Sequence, residues 1–415
     1  MKNLVQYIII IISTLLLLWV LPQLLKMTTY ERTSYDFAYF SSLLEDFIET
    51  KVDGKEIKQF DLKGNEYSEK QYDSIVPLLN YRQLLKDNAL PDSLFGMEIN
   101  GKILQAHHLY FRYSPKTKNN RGIALYPMFE SMSGRVNLSA PDDMFTLKNK
   151  ISFIDAETNK VNEAKSRMFQ ERLEKLDFQF PAQWLAGNPS ERKPYDEGWF
   201  ALDSKDDLYH IKMVNGKPFI KNTKLPDGIK VEYMSTIETA NHRFYGFIFT
   251  KDGEVYYLED ITYKPVKIPI DKMNIDKEQL TILGNIMYWT VYLTSDTERK
   301  HYALRNDNLE PVAKYTQTRE NIVWDRIKLW AFPSILTLES SNSTFIYPRF
   351  SQLSMLALAL GFICVLVFIA LYRKNSTKSV ILHSLFILIT GVCGLLAVLL
   401  FTRRDRTRKN IIHLK

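Results

Sequence analysis

Three apolar segments, all near the ends of the chain, constrain it most: residues 4–25, 353–372 and 379–401. Each is about 20 residues, the length an α-helix needs to cross roughly 30 Å of hydrocarbon. Residues 26–350, between them, are polar, aromatic and punctuated by turns. The expected architecture is a membrane protein with one large water-facing domain, tethered by three transmembrane helices.

The first segment starts with Met1 and Lys2 and runs through Ile and Leu into Pro22-Gln23-Leu24-Leu25-Lys26. Signal peptidase needs small residues after the apolar run, and no Ala-x-Ala pattern follows. Residues 1–25 therefore read as an uncleaved signal anchor.

Net charge is +7, but its location argues against a nucleic-acid partner. Ten of the 54 Lys and Arg residues and one of the 47 acids lie outside residues 26–350, leaving 44 basic and 46 acidic side chains inside. A nucleic-acid-binding face gives its domain a basic excess, and this domain has none, so no nucleic acid is expected. The basicity flanks the spans instead, where Lys and Arg meet lipid headgroups. Both cysteines, Cys364 and Cys393, fall inside spans, so the domain has no disulfide framework and no cysteine zinc site.

Orientation is contested. With the N-terminus in the cytoplasm, the domain is extracytoplasmic and the short basic loop 373–378 lies inside, as the positive-inside rule asks. The basic tail 402–415 then breaks the rule, and the reverse orientation repairs it. The first span usually dominates and long domains cross regardless of charge, so the reading leans extracytoplasmic.

Within the domain, residues 26–104 read as a membrane-proximal α/β region. Tyr35, Phe37, Phe40, Leu43, Leu44, Phe47 and Ile48 recur at helical spacing, which predicts a short amphipathic helix over 35–50. Strand–turn–strand signals follow at Val52-Asp53-Gly54-Lys55 and Leu62-Lys63-Gly64-Asn65-Glu66. A second helix is expected over 69–86, with Pro77 bending or splitting it.

Residues 105–350 change vocabulary to short Tyr- and Phe-rich runs separated by Asp, Asn, Gly and Lys, the language of hairpins. Trp199-Phe200-Ala201-Leu202 leads through an acidic turn into Leu208-Tyr209-His210-Ile211. Phe247-Ile248-Phe249 leads into Val255-Tyr256-Tyr257-Leu258, and Trp289-Thr290-Val291-Tyr292-Leu293 into His301-Tyr302-Ala303-Leu304. Tyr209, Tyr256 and Tyr302 are 47 and 46 residues apart. A third apolar run follows each hairpin, at Pro218, Pro265 and Pro311. Ile151-Ser152-Phe153-Ile154 fits one period earlier, with a helix over 163–176 interrupting the series. A period in the mid-forties with several strands per unit is what propeller blades produce. The fold class is therefore mainly β, an open or irregular propeller-like array. An evenly spaced β-sandwich is the alternative.

Candidate chemistry is thin. On a strand, His107 and His108 would point to opposite faces and could not share one metal. His210 and His301 occupy non-matching positions in their repeats. The acidic turns 203–207 and 251–254 lack the calcium-loop pattern, and hairpin turns want Asp and Gly for backbone reasons alone. The run 116–122 reads as a basic solvated loop. His383 lies within a span, where an ionisable group marks either function or snorkelling to the interface. Gly361, Gly391 and Gly394 suit close helix contact. No catalytic, cofactor-binding or metal-binding residue emerges, and no cofactor.

Tyr72-Asp73-Ser74-Ile75-Val76-Pro77-Leu78-Leu79-Asn80-Tyr81-Arg82-Gln83-Leu84-Leu85, then Leu90-Pro91-Asp92, with Trp199-Phe200-Ala201-Leu202-Asp203-Ser204, resembles an uncharacterised membrane-protein family of Bacteroides-type bacteria, the domain of unknown function numbered 4857. The resemblance extends over the whole chain, end spans included. It implies the bacterial inner membrane and, as partners, the membrane subunits of an ABC transporter, and it supplies no functional residue. The expected role is a non-enzymatic accessory or ligand-binding subunit of a membrane complex. A membrane-tethered propeller hydrolase or lyase is the alternative, which would require ionisable groups converging in one pocket.

Overall fold

The computed structural model describes residues 2–29, 35–53, 56–120, 123–132, 134–135, 138–193, 195–318, 323–338, 343–351 and 353–403. The chain divides into two units, Tyr35–Thr318 and the two flanks Met1–Ser34 with Arg319–Lys415.

The 47- and 46-residue repeats are sheets. Each is an antiparallel meander of four strands, and Tyr209, Tyr256 and Tyr302 each sit on the third strand of their own sheet. Numbered along the chain with two-stranded pairs left out, the third sheet comprises Trp184–Gly187, Trp199–Leu202, Leu208–Val214 and Lys217–Asn222. The fourth comprises Val231–Thr236, Phe244–Thr250, Val255–Glu259 and Pro265–Lys267. The fifth comprises Gln279–Gly284, Tyr288–Thr294, Glu298–Arg305 and Pro311–Thr318, and Leu109–Tyr113 joins it beside Gln279–Gly284. The proline-led runs are the fourth strands.

One small sheet cannot bury both its faces, so each leans on the next. Phe200, Leu202 and Leu208 of the third sheet pack with Val231, Met234 and Ile248 of the fourth. Phe247 and Phe249 of the fourth pack with Phe111, Tyr113 and Trp289 of the fifth. The domain is a propeller-like array of small sheets with a minor α/β portion at its N-terminal side.

Three expectations are corrected. Residues 35–50 form no helix: Phe37–Ser41 and Asp46–Asp53 are paired strands, the start of a four-stranded first sheet. A turn at Glu45, φ 51°, reverses the chain, so Phe40 and Phe47 meet as cross-strand partners and pack on Tyr288 of the fifth sheet. The periodicity came from two strands folded back, not one helix. Second, Ile151–Asp155 pairs with Asp143–Leu147 and is the third strand of the second sheet, one strand later than the repeat alignment placed it. The helix Glu163–Glu174 follows, and its Phe169 and Leu173 fill the core with Phe153 and Ile220. Third, the basic run is not a loop at its start, because Pro115–Asn119 is a short helix. There Lys118 pairs with Glu232 at 2.5 Å and Asp276 at 3.3 Å. Arg121 and Gly122 lie outside the described residues.

The stretch 69–86 splits as its proline requires, into Glu69–Ile75 and Tyr81–Lys86. The turn before Glu66 is present, with Gly64 at φ +89°. Gly54 and Lys55 lie outside the described residues.

The flanking unit holds three helices long and apolar enough to cross a membrane, Leu4–Thr28, Met355–Tyr372 and Thr377–Phe401. Gly361 allows the last two to touch: a Cβ there would stand 2.9 Å from the Leu388 carbonyl oxygen. Gly391 instead interrupts its helix, at φ 60°, ψ −139°, with Pro333 against it, and Gly394 faces Thr390 of its own helix. His383 is buried against Tyr7, ring centroids 5.6 Å apart, and its Nδ1 lies 2.7 Å from the Ser379 carbonyl oxygen. The tail beyond Arg403 lies outside the described residues.

Candidate functional site

A cavity of about 520 Å³ opens where the third and fourth sheets meet. Its charged groups are Asp196, Glu197, Lys212, Lys221, His242 and Asp260, set among Tyr195, Phe219, Tyr245 and Tyr263. Hairpin geometry brings them together. Glu197 stands two residues before the second strand of the third sheet and His242 two residues before that of the fourth, so each is delivered by the segment entering a second strand. Asp260 lies in the turn after the fourth sheet's third strand.

Glycine and a buried ion cluster fix the approach. Gly198 has φ +67°, and a Cβ there would stand 2.4 Å from the Ile211 carbonyl oxygen. Only glycine suits this position, which delivers Glu197 to the cavity. Lys193, almost wholly buried, donates to Asp196 at 2.5 Å, Glu238 at 2.9 Å and the Asn188 carbonyl at 2.6 Å. Buried charges are tolerated when paired in this way. The cluster ties the segment before Trp199 to the segment before Phe244.

Beneath the acids runs a buried relay. The Glu197 carbonyl can only accept, so His210 Nε2–H donates to it and Nδ1 accepts from the Tyr263 hydroxyl at 2.7 Å. The Tyr245 ring packs on Tyr263, centroids 5.0 Å apart, and its hydroxyl accepts from the Ile261 amide at 3.2 Å. Burial pushes His210 down to about 3, so the imidazole is neutral, and Phe200 stacks on it at 4.4 Å, 4° from parallel. Burial raises Tyr263 to about 12.

Above the relay, Lys212 donates to Glu197 Oε2 at 2.7 Å. Burial, reinforced by repulsion from Asp260, holds Glu197 above the usual carboxylate range against the pull of Lys212. His242 Nδ1 lies 4.0 Å from Asp260 Oδ2. Ligand atoms of Glu197, His242 and Asp260 all fall within 4.8 Å of one another. Lys221 carries its ammonium 4.3 Å from the Tyr263 ring centroid.

Of the histidines considered from sequence, His210 is part of this site as a structural support, and His301 lies in the fifth sheet. His107 and His108 are not on a strand. They follow the helix Gly101–Ala106, and His107 Nδ1 lies 2.9 Å from the Ile103 carbonyl oxygen. The acidic turn at 203–207 serves its own backbone: Asp203 accepts from the amides of Lys205 at 2.8 Å and Asp207 at 2.9 Å. Lys251 of the next turn pairs with Asp206 at 2.8 Å. Sequence reasoning singled out none of Glu197, His242 and Asp260. Glu197 and His242 both lie in the segments that enter second strands, but 45 residues apart and so off the 47-residue repeat.

These features define a membrane-associated protein with a propeller-like β domain and an aromatic, charged pocket between two of its sheets. Residues 37–304 match the family described as Domain of unknown function (DUF4857), and the chain belongs to it. No curated protein matches the chain. Among solved structures, it is similar to one described as the structure of the Dos1 propeller, at 11% identity and TM-score 0.26, over 45% of this chain and 46% of that one. It thus spans less than half of that chain's length. It is also similar to the dihydro-heme d1 dehydrogenase NirN in complex with DHE, at 9% identity and TM-score 0.23, over 70% of each chain.

Proposed function

We propose that the chain is a non-enzymatic binding subunit of the bacterial inner membrane, with its β domain extracytoplasmic and its ligand taken up between the third and fourth sheets. Residues 26–104 would be the membrane-proximal part, 105–350 the recognition domain, and the three helices the contact with a multi-span partner, such as the membrane subunits of an ABC transporter. Three spans with few internal polar residues make no transport path alone.

The observation that carries this reading is the state of the pocket's charges. Glu197 is taken by Lys212, Asp196 by Lys193, and the His210 nitrogens are both bonded. Paired groups and aromatic faces suit recognition of a small polar ligand, while general acid–base work needs a group free to exchange its proton. One observation favours the enzyme alternative, a hydrolase or lyase: Glu197, His242 and Asp260 do converge.

The test is a thermal-shift screen of sugars, small acids and phosphorylated metabolites against the full-length protein in mild detergent. A stabilising ligand that Phe219→Ala and Lys221→Ala both lose, with no product formed, supports the reading. Turnover of the ligand, or binding indifferent to both substitutions, sinks it.

A further inference from the structure

We infer that Glu197, His242 and Asp260 bind a divalent first-row transition-metal ion in the pocket between the third and fourth sheets. The inference rests on reading that pocket as a binding site and specifies one thing it holds.

The donor set comes first. One imidazole and two carboxylates, drawn from three separate segments, present ligand atoms within 4.8 Å of one another. Around a single ion at about 2.0–2.2 Å per ligand, neighbouring donors stand roughly 3–4 Å apart. Small side-chain rotations close that gap. Imidazole suits zinc, iron and copper, whereas an all-oxygen site would suit calcium or magnesium.

The surroundings come second. Lys212 bonds Glu197 through Oε2, so Oε1 is not used in that pair. Tyr195 stacks on His242 with centroids 3.8 Å apart, holding the plane of the imidazole. His242 is exposed, and the cavity has room for water ligands. Two carboxylates lie close together while only one ammonium, that of Lys212, is bonded to either of them, and a dication would balance the remaining negative charge.

The test is calorimetric titration of ZnCl2, with CaCl2 as comparison, into tag-free full-length protein in mild detergent. One zinc ion per chain is expected, with affinity at least roughly tenfold weaker in His242→Ala and in Asp260→Asn, since even outer-shell changes cost that much. At a fixed zinc concentration the melting temperature of the wild type and of Lys221→Ala should rise equally, and that of His242→Ala by less. Absence of saturable zinc binding overturns the inference. So does zinc binding untouched by both substitutions, or calcium binding as tight as zinc. Failure here is separable from failure of the ligand reading: zinc that binds while the small-molecule screen stays negative upholds the metal site alone, and a screen hit that Lys221→Ala removes without any zinc binding rejects it.

Discussion

Tyr195 lies flat against His242, ring centroids 3.8 Å apart and 23° from parallel, while its hydroxyl donates to the Thr239 carbonyl at 2.7 Å. One side chain thus fastens two segments, each leading into a second strand. Tyr195→Phe should keep the stack and lose only the hydrogen bond, about 1 kcal/mol. Tyr195→Ala should lose about 0.5–1.5 kcal/mol more with the ring contact and speed amide exchange across residues 239–242. Hydrogen-exchange mass spectrometry of the two variants separates the contributions.

Lys193 is the hub of a buried cluster with Asp196 and Glu238. Lys193→Met leaves two buried carboxylates facing each other without their cation. Breaking a buried pair from one side costs about 3–5 kcal/mol, and the change should appear as a lower urea midpoint. Unchanged stability would mean that water already reaches these acids.

Gly198→Ala should destabilise the domain by more than the roughly 1–2 kcal/mol of a left-handed residue, because the added Cβ also meets Ile211 and Lys212. Gly216→Ala is the control. Its φ is +71° with open space around the Cβ position, so it should show the backbone cost alone. Thermal unfolding of both variants measures the difference.

His301 gives the fold a pH dependence. It is buried with Nδ1 unpartnered and Nε2 3.3 Å from Gln317 Oε1, among Phe47, Tyr292 and Tyr315, with Glu49 and Arg299 the nearby charges. Burial pushes its pKa from 6.5 down to about 4. A folded pKa below the unfolded one means that the contribution is complete above pH 6.5 and is lost as the pH falls toward 4. His301→Phe should change stability at pH 7 by no more than about 1 kcal/mol, since one nitrogen is already unsatisfied, and should resist acid better. Denaturant melts at pH 7 and pH 4.5 decide it: an equal difference between wild type and variant at both pH values would refute the linkage.

The spans and the repeats were legible because each announces itself by length or period. Tyr209, Tyr256 and Tyr302 mark equivalent third strands, and nothing but recurrence was needed to see it. Phe37, Phe40, Phe47 and Ile48 misled because a hairpin with a short turn can imitate helical spacing, and only pairing partners distinguish the two. The pocket was illegible for a different reason. Glu197, His242 and Asp260 share no motif, and an acid in a hairpin turn is what backbone geometry asks for anyway, as Asp203 shows by bonding only to amides and so deserving no chemical reading. Proximity between adjacent sheets, which no linear spacing encodes, made them a group.

The strand Leu109–Tyr113 has one further consequence, for the newborn chain. Its partner Gln279–Gly284 lies far downstream, Arg112 and Gln279 being 167 residues apart. At about 5–20 residues per second, a ribosome needs roughly 8 to 33 seconds to cover that distance. Throughout that interval Leu109, Phe111 and Tyr113 wait on an open edge, while the second, third and fourth sheets are made around them. Such an edge invites other chains to pair with it. Truncated products ending before residue 279 should therefore be the aggregating species and the ones that holdase chaperones retain.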